Sequence, residues 1–410
     1  MRVLILSQYY DPEPVPKAGE LARELQDRGH DVEVITGFPN YPSGDLYEGY
    51  RLALMQRTTI DGIPVRRTFE YPYHGTSAVK RLINYWSFVF SAPLASLFMR
   101  RADVMYVWHP PLTVGVAAWL ISRLRGIPFV YDVQDIWPES AILSGMLRPG
   151  LLVRLMSRLE RFVYRRAAHV LVVTPGAREN LIGKGVPPEK VSAMHHWIDE
   201  SIFDGNGAAD RDTVRAAQGW SERFVALFAG NLGMVQGLDT VVRAAALLTP
   251  SDRIRIVLMG DGADKARLQT LARELGIGDD RLQFLERQPM SAVPPFMEAA
   301  DVLLVHLRRS ELSRWVIPTK TLAYLAAGKP VLMAMEGAAA DLVREAGAGV
   351  IVPSDDPQQL VNALRSLAAM PASERDAYGH AGKTFLQKTM TRQIVVPQYE
   401  EVLRRAARKS

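Results

Sequence analysis

The chain of 410 residues contains no cysteine. This absence excludes disulfide bonds and thiolate chemistry, and it is typical of proteins from a reducing compartment. Short repeats and low-complexity tracts are also lacking. Hydrophobic residues make up 48% of the chain and charged residues 23%, which argues against extensive disorder and favours a soluble globular protein. The length predicts two domains rather than one.

Long apolar runs are scarce. The segment 1–7 is too short to be a signal peptide, and we interpret it as the first strand. The uncharged stretch 82–99 is borderline in length for a membrane span. Its aromatic residues, Pro93 and the basic pairs at 80–81 and 100–101 favour a helix that lies in the membrane interface. The alternative is a buried helix with an exposed aromatic edge.

Lysine and arginine outnumber aspartate and glutamate by 49 to 44, so the net charge is +5 and the isoelectric point is near 9.3. Further basic clusters occupy 154–166 and 404–409, which indicates an anionic partner such as lipid, phosphate or nucleic acid. Basic patches interleaved with stacking aromatics are confined to 80–101. We therefore predict an anionic membrane surface as a partner and no nucleic acid.

Short apolar segments alternate with helical patterns, and this alternation predicts parallel sheets wrapped by helices. Helices are predicted at 21–28, 114–125 and 393–408. Strands are predicted at 3–6, 32–35, 104–107, 129–133, 170–173, 224–229, 257–260, 282–285, 302–305, 331–333 and 349–352. The stretch 204–221 has no clear apolar period and is expected to be a loop between two series of alternating strands and helices.

The predicted fold class is α/β, with two doubly wound Rossmann-like domains that face a cleft. The first domain is expected to span 1–200 and the second 201–389. The helix within 390–410 is expected to pack back onto the first domain.

Several segments, taken in order, carry a family resemblance. They are Tyr-Tyr-Asp-Pro-Glu at 9–13, Gly-Phe-Pro-Asn-Tyr-Pro at 37–42, Tyr-Asp-Val-Gln-Asp-Ile-Trp-Pro-Glu at 131–139, His-Trp-Ile-Asp at 196–199, Phe-Ala-Gly-Asn-Leu-Gly at 228–233 and Gly-Asp-Gly at 260–262. Over nearly its whole length the chain resembles the retaining GT-B glycosyltransferases of family 4. It is most similar to the branch that contains the fucosamine transferases of polysaccharide and O-antigen assembly, which act on lipid-linked sugars.

The resemblance implies transfer of a sugar, by preference an N-acetylamino sugar, from a UDP-sugar to a polyprenyl-diphosphate-linked or other lipid-linked saccharide. Uracil is preferred over guanine as the base. No cofactor and no metal are implied, because the nucleotide-sugar is a substrate. The enzyme is expected to be a monomer or weak dimer, cytoplasmic and peripherally bound to the inner face of the plasma membrane.

A glycine-rich turn follows the strand at 224–229. Gly230, Asn231, Gln236 and Gly237 lie between that strand and a helix, where exposed backbone N–H groups bind phosphate. The alternative is an ordinary turn. Family members have arginine and lysine where this chain has Asn231 and Gln236, so both usual cations are missing.

Lys320 is the candidate replacement for those cations. It follows Pro318 at a predicted helix start, where backbone dipoles and an ammonium group together favour a diphosphate. The alternative is a solvated surface lysine. Weaker candidates for the same role are Arg308, Arg309 and Arg314.

Other donor contacts follow from the resemblance. The glutamate pair of the family falls on Trp315 and Ala323, so we expect Glu311 in the preceding loop to contact the sugar. Thr319 at the helix start and Arg287, which offers backbone groups to the base, complete the predicted donor site.

The acceptor side is expected at strand ends of the first domain. Asp135 is predicted to hold the acceptor hydroxyl and accept its proton, although a helix cap is the alternative role. His109, which ends another strand, is predicted to contact the acceptor or else to be structural. The predicted catalytic residues are Asp135, His109 and Lys320, and the predicted acceptor-side residues are Lys17, Asp132 and Glu139. His195 and His196 have no suitably spaced third ligand, so no metal site is expected.

Two other functions share some of these features. A nucleotide-sugar 2-epimerase has the same fold and donor but does not need an aromatic surface with basic flanks. A sugar- or nucleic-acid-binding protein without chemistry would use only the basic excess. Membrane binding and acceptor-dependent release of nucleotide distinguish a transferase from both.

Overall fold

The structure is a computed structural model that describes residues 1–75, 77–143, 147–148, 150–198 and 207–408, with only the backbone described at 207–210. The chain forms two units. The first unit comprises Met1–His195 and Val395–Ser410, and the second comprises His196–Ile394. The units therefore divide between His195 and His196, whereas the sequence placed the boundary at residue 200.

The first unit contains one sheet. Its strands are β1 Arg2–Leu6, β2 Asp31–Thr36, β3 Met55–Ile60, β4 Ile63–Thr68, β5 Val104–His109, β6 Phe129–Val133, β7 His169–Val172 and β8 Val191–Ala193. They pair in the order β3-β4-β2-β1-β5-β6-β7-β8, and all neighbours except β3 and β4 are parallel. Strands β5 and β6 are buried along their whole length, as expected for parallel strands between two helical layers.

The antiparallel hairpin of β3 and β4 at the sheet edge is not among the predicted elements. Its turn residues Asp61 and Gly62 have φ angles of 51° and 78°, which are the left-handed values that tight hairpin turns require. An Asp-Gly pair between alternating segments is a hairpin signal, so the sequence did contain the information.

Six α-helices lie in the described part of the first unit before residue 195. They are α1 Pro16–Asp27, α2 Ala78–Ser96, α3 Val114–Arg125, α4 Glu139–Leu143, α5 Leu151–Arg166 and α6 Pro175–Gly183. Helix α1 starts at Pro16 rather than at residue 21, because proline in the first helical turn loses no hydrogen bond. Helix α3 has the predicted bounds and packs between α2 and α5.

The second unit contains a parallel sheet with apolar residues on both faces. Its strands are β9 Phe224–Ala229, β10 Ile254–Met259, β11 Leu282–Leu285, β12 Val302–His306, β13 Val331–Ala334 and β14 Gly349–Val352, in the order β11-β10-β9-β12-β13-β14. Val225 and Leu227 belong to one apolar cluster, and Ala226 and Phe228 belong to another. This alternation places a separate core on each face of the sheet. The prediction of two doubly wound Rossmann-like units is confirmed.

The remaining described helices precede, alternate with or follow the strands of the second sheet. They are α7 Gly207–Gln218, α8 Asp239–Leu247, α9 Lys265–Glu274, α10 Val293–Ala299, α11 Thr319–Ala326, α12 Ala338–Ala346, α13 Pro357–Ala369, α14 Ala372–Thr389 and α15 Arg392–Arg408. Helix α15 starts one residue before the predicted 393, and its part from Val395 onward belongs to the first unit.

The prediction of a loop at 204–221 is wrong for its described part, which contains α7. Arg215 of this helix donates hydrogen bonds to the carbonyl groups of Ala299, Trp220 and Arg223 at 2.7, 2.8 and 2.7 Å. It also forms an ion pair of 3.1 Å with Asp301. The contacts with Ala299 and Asp301, which are distant in sequence, attach this helix to the segment that leads into β12.

Helix α2 has two apolar faces. Phe88, Val89 and Ala92 are buried on the inner face. On the opposite side an exposed stripe, which we call the α2 stripe, comprises Val79, Leu82, Ile83, Trp86, Phe90, Leu94, Leu97 and Phe98. The spacing of three and four residues makes the stripe continuous along the helix. Among the described residues no helix is both long and apolar enough to span a bilayer.

Candidate functional site

The glycine turns at the carboxyl edge of the second sheet are packed tightly against each other. The N–H of Gly230 donates to the carbonyl of Met259 at 2.9 Å, and the N–H of Leu232 donates to that of Asp261 at 2.8 Å. A Cβ atom at Gly260 would collide with the carbonyl oxygen of Gly230. Glycine is therefore required here because two backbones approach each other closely.

Lys320 lies beside this turn, in the first turn of α11. Its Nζ donates to Oε1 of Gln236 at 3.3 Å and lies 3.4 Å from the centroid of the Phe228 ring. A Cβ on Gly230 would lie 3.0 Å from the same nitrogen. The structure thus brings three predicted donor-site residues, Gly230, Gln236 and Lys320, into one place.

The Lys320 ammonium group forms no ion pair with a carboxylate among the residues that the structure describes. Loss of solvent lowers the pKa of Lys320 to about 7. The residue as a whole is half-buried. A desolvated cation without a counter-charge is costly unless an anion binds beside it.

Gln236 and Gly237 are held by the end of β12. The Gln236 carbonyl accepts a hydrogen bond from Nδ1 of His306 at 2.5 Å. Gly237 has a φ of 65°, and a Cβ there would lie 3.2 Å from Cα of Arg308. Asn231 lies in the turn against Gly262, with its Oδ1 2.5 Å from the position of a Cβ on that glycine. The neutral side chains of Asn231 and Gln236 therefore lie within the glycine turns, and neither supplies a positive charge there.

A cavity of about 400 Å³ lies beyond the ends of β12 and β13. Its lining residues are Arg309, Ser310, Glu311, Ser313, Arg314, Glu336 and Gly337. Glu311 lines this cavity and pairs with Arg314 at 3.5 Å, while Arg309 lies 3.7 Å from both Glu336 and Asp355. Glu311, the predicted contact of the sugar, is therefore surrounded by polar groups that can form hydrogen bonds with sugar hydroxyls.

Two predicted donor residues remain at the surface. Thr319 is exposed as the first residue of α11, and Arg287 is exposed just after β11. Both positions are at carboxyl ends of strands or at the helix that follows, which is where ligands bind in such sheets. Their contacts with a donor stay predictions.

In the first unit, His109 ends β5 as predicted, but its side chain is buried. Burial lowers the pKa of His109 to about 3, and its Nδ1 atom has no hydrogen-bond partner among the described residues. The ring contacts Tyr131 edge-on, with 5.7 Å between centroids. His109 is therefore a neutral imidazole at neutral pH.

Asp132 is fully buried, and protein groups use both of its oxygen atoms. Oδ2 accepts from the Tyr106 hydroxyl at 2.5 Å and Oδ1 accepts from Nε2 of Gln134 at 2.8 Å. Tyr399 of α15 donates a further hydrogen bond. Burial raises the pKa of Asp132 to about 7. These contacts favour a role in positioning rather than direct contact with an acceptor.

Asp135 differs from its neighbours because its carboxylate contacts no cation or donor among the described residues. It is half-buried, and loss of solvent raises its pKa. It caps no helix, since α4 begins only at Glu139. A carboxylate with a raised pKa and free oxygen atoms is suited to accept a proton.

Glu139 and Lys17 both form ion pairs within the first unit. Nζ of Lys184 lies 2.8 Å from the carboxylates of both Glu139 and the buried Glu160. Lys17 pairs with Glu20 at 3.4 Å and also acts electrostatically on Asp132. The structure therefore gives Glu139 a clear role in joining α4, α5 and α6, which sequence reasoning missed.

The sequence segments at 9–13 and 37–42 are joined by one buried carboxylate. Oε1 of Glu13 accepts from the N–H groups of Asn40 and Tyr41 at 2.9 and 2.8 Å, and Oε2 accepts from that of Tyr10 at 3.0 Å. Two motifs of the resemblance are thus parts of one loop assembly at the carboxyl edge of the first sheet.

Histidines 195 and 196 lie at the division between the units, and Asp199 lies outside the described residues. Within the described part of the chain, no group of three or more His, Asp or Glu side chains could hold a metal ion. The absence of a metal from the reaction stays a prediction.

Comparison with known proteins gives two family matches. Residues 14–197 match the Glycosyl transferase 4-like domain, and residues 210–385 match the Glycosyl transferases group 1 domain. The chain is 27% identical to the putative colanic acid biosynthesis glycosyl transferase WcaI of Escherichia coli K12, covering 96% of this chain and 99% of that protein. It is 25% identical to the probable glycosyltransferase WbjE of Pseudomonas aeruginosa, covering 78% of each.

Solved structures share the fold at low identity. Sucrose-phosphate synthase from Thermosynechococcus elongatus matches with a TM-score of 0.78 and 16% identity over all of both chains. Anabaena Alr3699/HepE in complex with UDP-glucose matches with a TM-score of 0.71 and 18% identity over 98% of this chain and 99% of that one. With both family matches in order along one chain, this protein belongs to the GT-B glycosyltransferases of the family 4 type.

Proposed function

We propose that the protein is a retaining, metal-independent glycosyltransferase of cell-surface polysaccharide assembly. It moves a sugar, by preference an N-acetylamino sugar, from a UDP-sugar to a polyprenyl-diphosphate-linked saccharide, as in the fucosamine branch. The colanic acid relative and the HepE complex with UDP-glucose support the pathway and the donor. The second unit binds the donor, and the first unit binds the acceptor.

The observation that carries this proposal is the Lys320 ammonium beside Gly230 and Gln236. Nothing in the fold requires a cation there, because the group forms no ion pair with a described residue. A diphosphate would supply the missing negative charge, and the glycine turn together with the N-terminus of α11 would supply N–H donors. One lysine thus takes over the role of two absent cations.

The same groups favour cleavage of the donor. As the glycosidic bond stretches, negative charge grows on the leaving phosphate, and Lys320 stabilises that charge more than it stabilises the ground state. Retention without a covalent nucleophile requires only that the acceptor hydroxyl attacks from the side of the leaving group. Asp135 holds that hydroxyl and accepts its proton, assisted by the departing phosphate oxygen.

A lipid-linked acceptor is supported by the α2 stripe. Phe90 and Phe98 are 63% and 69% exposed, which is unusual for a surface that meets only water. Lys80, Arg81, Arg100 and Arg101 flank the stripe, and residues 71–102 contain no acidic side chain. An anionic bilayer complements both features, with apolar rings in the acyl boundary and cations at the headgroups.

Helix α5 also combines exposed apolar side chains with neighbouring cations. Leu151, Leu152 and Leu155 are exposed beside Arg154 and Arg158 on a helix that packs against α3, as α2 does. The enzyme is therefore proposed to lie on the inner face of the plasma membrane as a peripheral protein, where the head of a lipid-linked acceptor is within reach.

The proposed function is tested by transfer into lipid. The protein is incubated with UDP-N-acetylglucosamine or other labelled UDP-sugars and GDP-sugars, together with an extract of bacterial polyprenyl-diphosphate-linked saccharides. We expect label from a UDP-sugar to enter the lipid phase with its anomeric configuration retained. Release of nucleotide with a 2-epimerised free sugar, and no label in lipid, would instead support an epimerase.

A further inference from the structure

Helix α15 reaches the acceptor-side edge of the first sheet through one side chain. The hydroxyl of Tyr399 donates a hydrogen bond to the carboxylate of Asp132, and the Tyr399 ring packs against Tyr106 with 6.3 Å between centroids. Both tyrosines are almost fully buried. The C-terminal helix is therefore connected to β6 at Asp132, which is itself a predicted acceptor-side residue and lies shortly before Asp135.

Asp132 joins three parts of the unit. Its oxygen atoms accept from Tyr106 of β5 at 2.5 Å, from Gln134 after β6 at 2.8 Å, and from Tyr399 of α15. A buried carboxylate needs such donors, because each one replaces part of the lost hydration. Removal of any donor changes how strongly the others are held.

Gln134 connects this hydrogen-bond network to Asp135, the candidate catalytic residue. Its side chain points back to Asp132, and the next residue in the chain is Asp135. The hydrogen bond from Gln134 thus ties the residue directly before Asp135 to the buried carboxylate. Asp135 itself contacts no other described side chain through a hydrogen bond, so its position depends on this backbone.

We propose that Tyr399 is a positioning residue which, through Asp132 and Gln134, holds the segment that carries Asp135. The C-terminal helix then supports the acceptor site, in addition to packing on the outside of the first unit. This inference rests on the proposed function, in which Asp135 holds the acceptor hydroxyl.

A second anchor of α15 provides a matched control. Glu400, the next residue, lies 3.0 Å from Nε2 of His30 and 3.9 Å from Arg28. These partners precede β2, whereas Asp132 and Gln134 lie at the end of β6. Loss of the Glu400 contact weakens the attachment of the same helix without touching the Asp132 network.

The network also predicts a dependence on pH. The groups that face Asp132 are Tyr106, Gln134, Tyr399 and the cation of Lys17. Tyr399→Phe removes a donor that favours the ionised carboxylate, so the pKa of Asp132 rises. A neutral carboxyl group accepts a hydrogen bond less strongly than a carboxylate does, so its hold on the Gln134 amide weakens.

The test compares Tyr399→Phe with Glu400→Gln in the full-length protein. Amide hydrogen exchange of residues 132–136 is measured first, and we expect about tenfold faster exchange in Tyr399→Phe only. With UDP-N-acetylglucosamine and the lipid extract, Tyr399→Phe should lower kcat about tenfold, leave KM for the donor within about twofold, and move the acid limb of the pH profile upward.

Equal exchange at 132–136 and an equal pH profile in the two variants would overturn the positioning role. Failure of the proposed function is a different result, because the unmodified protein would then transfer no label from a UDP-sugar into the lipid phase. In that case the exchange measurement still decides whether Tyr399 holds the segment.

Discussion

The ammonium nitrogen of Lys320 lies 3.4 Å from the centroid of the Phe228 ring, at the carboxyl edge of the second sheet. A cation over an aromatic face is stabilised, but by less than a buried ion pair with good geometry. Loss of solvent is the dominant effect at this site, since it lowers the pKa of Lys320 to about 7. The free protein therefore carries a cation that destabilises it.

The first prediction concerns stability. The pKa of Lys320 in the folded protein is about 7, below its ordinary value of 10.5. Between these two values the unfolded chain binds more protons, so the destabilisation is fully present below pH 7 and disappears toward pH 10.5. Lys320→Met should therefore raise Tm most at or below pH 7, as measured by thermal unfolding across pH.

Lys329→Met is the matched control for that measurement. Lys329 lies just beyond the other end of α11 and forms an ion pair of 3.1 Å with Glu298. Its loss leaves a carboxylate without a partner, so Tm should fall. A Tm difference for Lys320→Met that does not change between pH 6 and pH 10 would contradict the desolvated cation.

The second prediction concerns protons taken up on binding. A diphosphate beside Lys320 raises the pKa of its ammonium group, so at pH 8 the lysine should gain up to about one proton when UDP binds. Calorimetry of UDP binding in buffers of different ionisation enthalpy measures this number. The uptake should be absent in Lys320→Met, and equal uptake in both proteins would assign the proton to another group.

The third prediction concerns the membrane. Replacement of both Phe90 and Phe98 by aspartate places charges in the α2 stripe and should abolish co-sedimentation with phosphatidylglycerol vesicles. Binding of the unmodified protein should weaken as salt rises, because the flanking cations contribute. Met290→Asp is the control, since Met290 is 78% exposed but lies in the second unit. Vesicle binding that survives the double substitution would exclude the stripe as the docking surface.

The fourth prediction concerns Asp135. Asp135→Asn should lower kcat by about 100-fold or more, which is the usual contribution of a positioned base, while the Kd for UDP stays unchanged. Glu139→Gln is the comparison, because Glu139 pairs with Lys184 and should affect Tm more than turnover. If the two variants lost activity to the same extent, Asp135 would have no special role.

The sequence predicted many of the parallel strands well because they are short runs of mostly apolar residues. Strands β6, β9, β11 and β14 have the predicted bounds, whereas the edge hairpin β3-β4 has exposed Thr and Arg residues and no such run. Helix α7 was missed for a similar reason. Its anchor Arg215 bonds to the carbonyl group of Ala299, 84 residues away, and the local sequence pattern does not contain that information.

The donor site was more accessible to sequence reasoning than the acceptor site. Gly230, Gln236 and Lys320 each lie where a strand ends or a helix starts, so the topology alone brings them together. The surroundings of Asp132 depend instead on Tyr399 at the far end of the chain. No spacing or motif connects those two residues, and only the folded unit reveals the contact.

The central claim is that the second unit binds a nucleoside diphosphate through Lys320, and calorimetry with UDP at pH 7 tests it most directly. We predict that the unmodified protein binds UDP, that Lys320→Met weakens binding by about 10- to 100-fold, as expected for one charge-assisted contact, and that Lys329→Met leaves affinity unchanged. Equal affinity of Lys320→Met and the unmodified protein, or no binding of UDP at all, would contradict the account.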